Sequence, residues 1–167
     1  MKRCVVVRAA LRAVLCAVLC AVLSGRGAAQ ATPDAGITSV IDRLFQAMKR
    51  SDTAAVRAAF LPGGRVIVMP ASETTDKMTA LSLDDFVKFA GANPPGSWIE
   101  RAWNPTTATS GTLGGVWFDY DIYRNGAQTQ CGSNSVQLQR VNSEWRIVSM
   151  AFSAQRSGCP AHPPPAL

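Results

Sequence analysis

The sequence has a single histidine, His162, which lies in the proline-rich stretch CPAHPPP near the C-terminus. A structural zinc site needs four ligands, so we expect no metal site. We also expect no catalytic histidine and no cofactor. After residue 31 the chain also has no apolar run near the roughly 20 residues that a membrane-spanning helix requires. We therefore predict a domain without a membrane span.

Residues 1–31 have the features of a secretory signal peptide. Basic residues precede an apolar run from Ala13 to Leu23, and small residues end the segment at Ala31. A lipoprotein signal is the alternative, but Leu19 stands directly before Cys20, where such signals have Gly, Ala or Ser. We expect cleavage near Ala31 and export to the periplasm or the medium.

An excess of one charge is absent once this segment is removed. Residues 1–31 hold five of the 17 basic residues and none of the 11 acidic ones, so 12 basic residues remain and the net charge is +1. Without a basic stripe there is little to bind a phosphate backbone, and nucleic acid is not an expected partner.

Cys131 and Cys159 are the two cysteines that remain after residue 31. In an exported chain they favour one disulfide, the alternative being two separate thiols.

The stretch from Val116 to Ala154 predicts three antiparallel strands in succession. Aromatic and β-branched residues fill positions 116–123, and Asn125-Gly126 is a strong hairpin signal. Asn142-Ser143 predicts the second reversal. Two-residue loops then pair the residues that flank each turn: Arg124 with Ala127, and Val141 with Glu144.

This register divides the three strands into two predicted faces. The face of mixed polarity carries Trp117, Asp119, Asp121, Tyr123, Gln130, Asn134, Val136, Leu138, Ile147, Ser149 and Ala151. The more apolar face carries Val116, Phe118, Tyr120, Ile122, Cys131, Ser133, Ser135, Val148, Met150 and Phe152. Asp119 and Asp121 are two residues apart, about 7 Å along a strand, and two such carboxylates can divide acid and base roles. The alternative is that both are solvated or lie at a dimer edge.

Helices and further strands are predicted before this stretch. Apolar residues at helical spacing from Ile37 to Met48 indicate a first helix capped by Thr32. The other expected features are a helix from Ser51 to Phe60, a strand at 65–69, a polar loop at 71–80, a helix from Ser82 to Gly91, an extended segment from Ile99 to Thr109 and a bulge at Gly114-Gly115. Helices segregated from a sheet in this order predict an α+β fold.

Several segments together resemble the nuclear transport factor 2-like (NTF2-like) superfamily, in its SnoaL-like group. They are SDTAAV at 51–56, LDDF at 83–86, ERAWNP at 100–105, WFDYD at 117–121, CG at 131–132 and WRIVS at 145–149. The resemblance implies a cone-shaped, strongly curved antiparallel sheet with helices on its concave face, in a domain of residues 32–159. The proline-rich sequence of residues 160–167 separately predicts a disordered tail. Catalytic members place a carboxylate inside the cone, sometimes with Tyr or His; here no histidine is available in the scaffold.

Three functions remain open at this stage. The first is an exported domain that binds a small, largely apolar molecule in its cone. The second is an isomerase, dehydratase or hydrolase that uses Asp119 or Asp121 as general base. The third is a non-catalytic protein that dimerises through a sheet face. The residues predicted to line a ligand pocket are Trp117, Asp119, Asp121, Tyr123, Asn134, Arg101 and Trp103.

Overall fold

A computed structural model of the protein describes residues 32–70 and 77–162. The predicted signal peptide, most of the predicted loop at 71–80 and the last five residues lie outside the described ranges. The helices are α1 Ala35–Lys49, α2 Thr53–Ala58 and α3 Leu83–Gly91. The strands are β1 Phe60–Pro70, β2 Thr79–Ser82, β3 Trp98–Ser110, β4 Leu113–Arg124, β5 Ala127–Val141 and β6 Glu144–Ala154. Within the described ranges no helix is long and apolar enough to cross a membrane.

The six strands form one curved, unclosed sheet in the order β2-β1-β6-β5-β4-β3. Neighbouring strands are antiparallel except β1 and β6, which run parallel with Val66 opposite Met150. The predicted curved antiparallel sheet therefore includes one parallel pair. The chain leaves β1 through β2 and α3 and returns through three hairpin-connected strands, so no tight turn forces β1 and β6 to be antiparallel.

The helices begin where side chains can cap them. Asp34 caps α1, because its Oδ1 accepts hydrogen bonds from the N–H of Gly36 at 2.8 Å and of Ile37 at 3.2 Å. The predicted cap, Thr32, is therefore wrong by two residues; a carboxylate at this place also complements the helix dipole. The predicted cap of α3 is confirmed, since Ser82 Oγ accepts from the N–H of Asp85 at 3.1 Å.

The core lies between the helices and the concave face of the sheet. The apolar stripe of α1 supplies fully buried side chains such as Ile37 and Leu44, and Phe45 meets Phe118 of β4 edge to face at 6.0 Å between ring centroids. Each large apolar side chain buried in this way stabilises the fold by about 1.5–3 kcal/mol. The sheet residues of this core are Phe60, Val66, Trp98, Val116, Phe118, Tyr120, Ile122, Val136, Leu138, Trp145, Ile147 and Met150.

Two local predictions in the strand regions are wrong. Thr79 and Ala80, expected at the end of a polar loop, belong to the edge strand β2 and pair with Val68 and Ile67 of β1. Gly114 is not part of a bulge but pairs regularly with Thr109. A Cβ at Gly114 would lie 2.9 Å from both Ile37 Cδ1 and Trp145 Cζ3, so glycine allows α1 and Trp145 to pack closely on the sheet.

Both predicted turn pairings are confirmed, but the predicted faces of β5 and β6 are partly wrong. One extra residue, Thr129 in β5, shifts the β4–β5 register, and Val148 does the same in β6. A shift of one residue moves every following side chain to the other face. The residues that lie on the concave face instead of the predicted mixed face are Gln130, Asn134, Val136, Leu138 and Ile147, whereas Cys131, Ser133 and Ser135 move to the convex face.

A candidate ligand cavity on the concave face

A cavity of about 160 Å³ opens on the concave face between α3 and the sheet. An enclosed apolar cavity of roughly this size binds a molecule such as benzene, so the space suits one ring with a small substituent. Most of its wall is apolar: Met48, Val68, Phe86, Phe89, Trp98, Ile122, Met150, Phe152 and Ala154. The remaining lining residues are Glu100, Tyr120, Gln130 and Arg156.

Glu100 is the carboxyl group of this cavity. It lies in β3 opposite Ile122 of β4, and both side chains point to the concave face. Burial, with a smaller contribution from the charge of Asp121, raises the pKa of Glu100 from 4.5 to about 8. At neutral pH the group is therefore mostly protonated, and it can donate one hydrogen bond as well as accept others.

Tyr120 and Gln130 form a fixed polar pair in the same wall. The Tyr120 hydroxyl donates to the carbonyl of Ser153 at 2.7 Å and accepts from Nε2 of Gln130 at 2.6 Å. Burial raises the pKa of Tyr120 above its ordinary value, so the phenol stays protonated. The indole Nε1 of Trp98, another lining residue, is buried and has no hydrogen-bond partner among the described residues.

Four of the predicted site residues meet on the opposite, convex face and are named here the convex cluster: Arg101, Trp103, Asp121 and Tyr123. Asp121 is 1% exposed and receives two hydrogen bonds from Arg101, Nε to Oδ1 at 2.9 Å and Nη2 to Oδ2 at 2.6 Å. The guanidinium lies 4.9 Å from the ring centroid of Trp103 and 4.8 Å from that of Tyr123. The hydrogen bond to Asp121 raises the pKa of Arg101. This geometry indicates a buried ion pair that stabilises the sheet.

The C-terminal segment covers the convex cluster. The predicted disulfide between Cys131 and Cys159 is confirmed. Beyond it, where the sequence predicted a disordered tail, the His162 ring stacks on Trp103 at 4.5 Å and the Tyr123 hydroxyl donates to the His162 carbonyl at 3.0 Å. The disulfide therefore fixes a short segment that shields the Arg101–Asp121 pair from water.

The other three predicted site residues lie outside the convex cluster. Asp119 is exposed on the convex face and accepts hydrogen bonds from Ser133 Oγ at 3.0 Å and Asn104 Nδ2 at 3.3 Å. Trp117 is 56% exposed on the same face. Asn134 is fully buried on the concave face, and neither polar atom of its side chain has a partner among the described residues. Of the predicted pocket residues, only Asn134 shares the face of the cavity.

A wider groove of about 810 Å³ lies between α1, α2 and the turn before β6. Its wall includes the exposed side chains of Arg43, Arg50 and Glu144. In the smaller cavity, by contrast, burial raises the pKa values of Glu100 and Tyr120. We therefore take the smaller cavity as the candidate site.

Comparisons with known proteins support the fold. No protein-family model and no curated protein match the chain. Among solved structures, it is similar to a protein of unknown function with a cystatin-like fold from Nostoc punctiforme (TM-score 0.60, 9% identity, covering 73% of this chain and 90% of that one). It is also similar to an NTF2-like protein with a cystatin-like fold from Novosphingobium aromaticivorans (0.58, 13%, 74% and 82%). A third is a candidate dehydratase from the NTF2-like family from Streptomyces avermitilis (0.58, 15%, 73% and 95%).

These likenesses show that the chain has the NTF2-like, cystatin-like α+β fold, as the resemblance in sequence predicted. At such low identity they show the fold alone, because one fold hosts many unrelated activities. The function must be argued from the residues of the cavity.

Proposed function

We propose that the protein binds a small, largely apolar molecule in the concave cavity. The observation that carries this proposal is the cavity itself: an apolar space of about 160 Å³ with a few polar groups converging on it. Such a combination is typical of small-molecule sites, where apolar walls supply affinity and a few polar groups fix orientation.

Thermal shift and calorimetry with ring-sized compounds test this proposal. A compound present at a hundredfold its dissociation constant should stabilise the protein by roughly 2.7 kcal/mol. Ala154 lines the cavity, whereas Ala151 lies on the convex face of the same strand. Ala154→Phe should therefore abolish binding, and the matched control Ala151→Phe should leave it intact. The proposal fails if no compound of a broad panel binds or if Ala154→Phe binds as the wild type does.

Acid–base catalysis at Glu100 is the second candidate function. A general acid or base is most effective when its pKa lies near the working pH, and Glu100 is the cavity group for which burial achieves this. It replaces Asp119 and Asp121 as the proposed base, because Asp121 is held by Arg101 and Asp119 lies on the convex face. The candidate dehydratase from Streptomyces avermitilis shares this fold, and a dehydration needs a proton transfer of this kind.

Turnover of a bound compound tests the catalytic role. Glu100→Gln should abolish turnover and keep binding, because the amide imitates the shape of the neutral acid. Asp119→Asn is the matched control and should retain full activity. Equal loss in both variants, or full activity of Glu100→Gln, would exclude Glu100 as the acid or base.

Export from the cytoplasm is a further part of the proposal. The Cys131–Cys159 disulfide is typical of oxidising compartments, which supports export. N-terminal sequencing of the protein recovered outside the cytoplasm should begin near Thr32; an intact Met1 would contradict cleavage.

Dimerisation through a sheet face stays a prediction, supported by Trp117 and Val148, which are 56% and 38% exposed. Sedimentation at several concentrations tests it, and a strict monomer would exclude it.

A further inference from the structure

We propose that the ligand of the concave cavity is a small carboxylic acid whose carboxylate binds Arg156 at the cavity mouth. This inference rests on the proposed binding function and names the class of ligand. Arg156 lies two residues beyond the end of β6, is exposed, and lines the cavity together with Glu100. Within residues 32–70 and 77–162 it has no hydrogen bond or ion pair.

The charge of the cavity wall favours an anion. The other ionisable lining groups are Glu100 and Tyr120, and burial keeps both mostly protonated at neutral pH. Arg156 therefore contributes a positive charge that no carboxylate in the wall balances. Since the wall is largely apolar, the attraction between this guanidinium and a ligand anion is less screened than it would be in open water.

The hydrogen-bonding groups of the wall favour the same ligand. Arg156 has donors only, and neutral Glu100 has one O–H donor besides its acceptor oxygens. The Tyr120 proton is already donated to Ser153, and Gln130 already donates one N–H to the Tyr120 oxygen. The available groups are thus mostly donors, and a ligand has to supply acceptors. A carboxylate suits this wall because it accepts two parallel bonds from a guanidinium.

The arginine of the convex cluster does not offer an equivalent site. Both hydrogen bonds of Arg101 to Asp121 use the donors that would otherwise bind a carboxylate, and the segment ending at His162 covers the pair. The size of the concave cavity then limits the acid. A volume of about 160 Å³ accommodates a single ring that carries the acid group, so benzoate is a suitable probe.

Calorimetry at pH 7 with benzoate and its neutral analogue benzamide tests the inference. The two probes have the same shape, so the difference in their affinities reports the contribution of the negative charge. Wild-type protein should bind benzoate at least about tenfold more tightly than benzamide, because one charged bidentate contact is worth more than a neutral one. In Arg156→Gln the two affinities should become equal. In Arg43→Gln, the matched control on the outer side of α1, the preference should be unchanged.

The outcomes separate this inference from the proposed function. Equal binding of benzoate and benzamide to the wild type would overturn the carboxylic acid and leave the binding function in place. A preference that survives in Arg156→Gln would also overturn it, because another group would then bind the anion. If neither probe binds and no neutral compound of the wider panel binds, both the inference and the binding function are wrong.

Discussion

Replacing Glu100 with Gln should remove a pH dependence of stability that the wild-type protein shows between pH 4.5 and 8. In the folded protein, burial raises the pKa of Glu100 from 4.5 to about 8. Across this range the folded chain holds a proton that the unfolded chain has released, so stability decreases as the pH rises. The stabilisation is complete below pH 4.5 and is lost as the pH passes through 8.

The size of the effect follows from the change in pKa. Each pKa unit corresponds to about 1.4 kcal/mol, so a rise from 4.5 to about 8 makes the ionised folded state less stable by at most about 4–5 kcal/mol. The figure is an upper limit because Glu100 keeps some contact with solvent. Two sets of charged groups lie near Glu100. Arg156 shares the cavity with it, and the Arg101–Asp121 pair lies on the other face of the sheet.

Urea unfolding of the oxidised protein from pH 5 to pH 9 measures this effect. The free energies of unfolding of wild type and Glu100→Gln should be similar at pH 5, and the variant should be the more stable by several kcal/mol at pH 9. Glu144→Gln is the matched control, because Glu144 is exposed and should give curves parallel to wild type. A difference between wild type and Glu100→Gln that stays constant over the whole range would refute a buried, neutral Glu100.

Two further predictions concern the convex face. Asp121→Asn removes the buried carboxylate that pairs with the partly buried Arg101 and should lower the free energy of unfolding by about 3–5 kcal/mol, whereas Asp119→Asn on the same strand should change it by less than about 0.5 kcal/mol. Equal effects of the two variants in urea melts would contradict a stabilising ion pair. Cys159→Ser opens a disulfide to Cys131 that spans 28 residues and should cost about 3.5 kcal/mol in loop-closure entropy. Reductant should destabilise wild type by the same amount, and an unchanged midpoint in both experiments would exclude a bridge that constrains the unfolded chain.

The parts of the fold that depend on local chemistry could be predicted from the sequence. Asn125-Gly126 and Asn142-Ser143 have the positive φ angles that tight hairpin turns require, and the pairs that flank them are the ones expected. The side-chain cap at Ser82 is equally local. The pairing of Cys131 with Cys159 was predictable because only two cysteines follow the predicted signal peptide.

The parts that depend on register could not be predicted. The extra residues of the two bulges, Thr129 and Val148, are ordinary strand residues, and nothing in their local sequence distinguishes them from their neighbours. Each bulge nevertheless moves the side chains beyond it to the other face. The sheet face that the helices cover is therefore a tertiary property, and the aspartates of β4 were predicted to line a cone that they face away from.

Glu100 was missed although a signal for it exists. In a strand that begins near Ile99, Arg101 and Trp103 share one face, and Glu100 must then share the other with Ala102. A carboxylate on the face opposite an arginine has no cation of its own strand beside it. This arrangement predicts a buried, neutral Glu100 only if the helices cover the face of β3 that carries it. The sequence of β3 alone does not reveal which face the helices cover.

Glu100 and Asp121 show how one sheet gives two carboxyl groups different roles. They lie on adjacent strands but on opposite faces, since Arg101 pairs with Asp121 and Glu100 pairs with Ile122. Asp121 faces Arg101, so its charge stabilises the fold. Glu100 forms no ion pair with any residue that the structure describes, and the negative charge of Asp121 adds to burial in raising its pKa. The ion pair on the convex face therefore helps to keep the acid of the cavity protonated, which links the stability of the sheet to the chemistry that the cavity can offer a ligand.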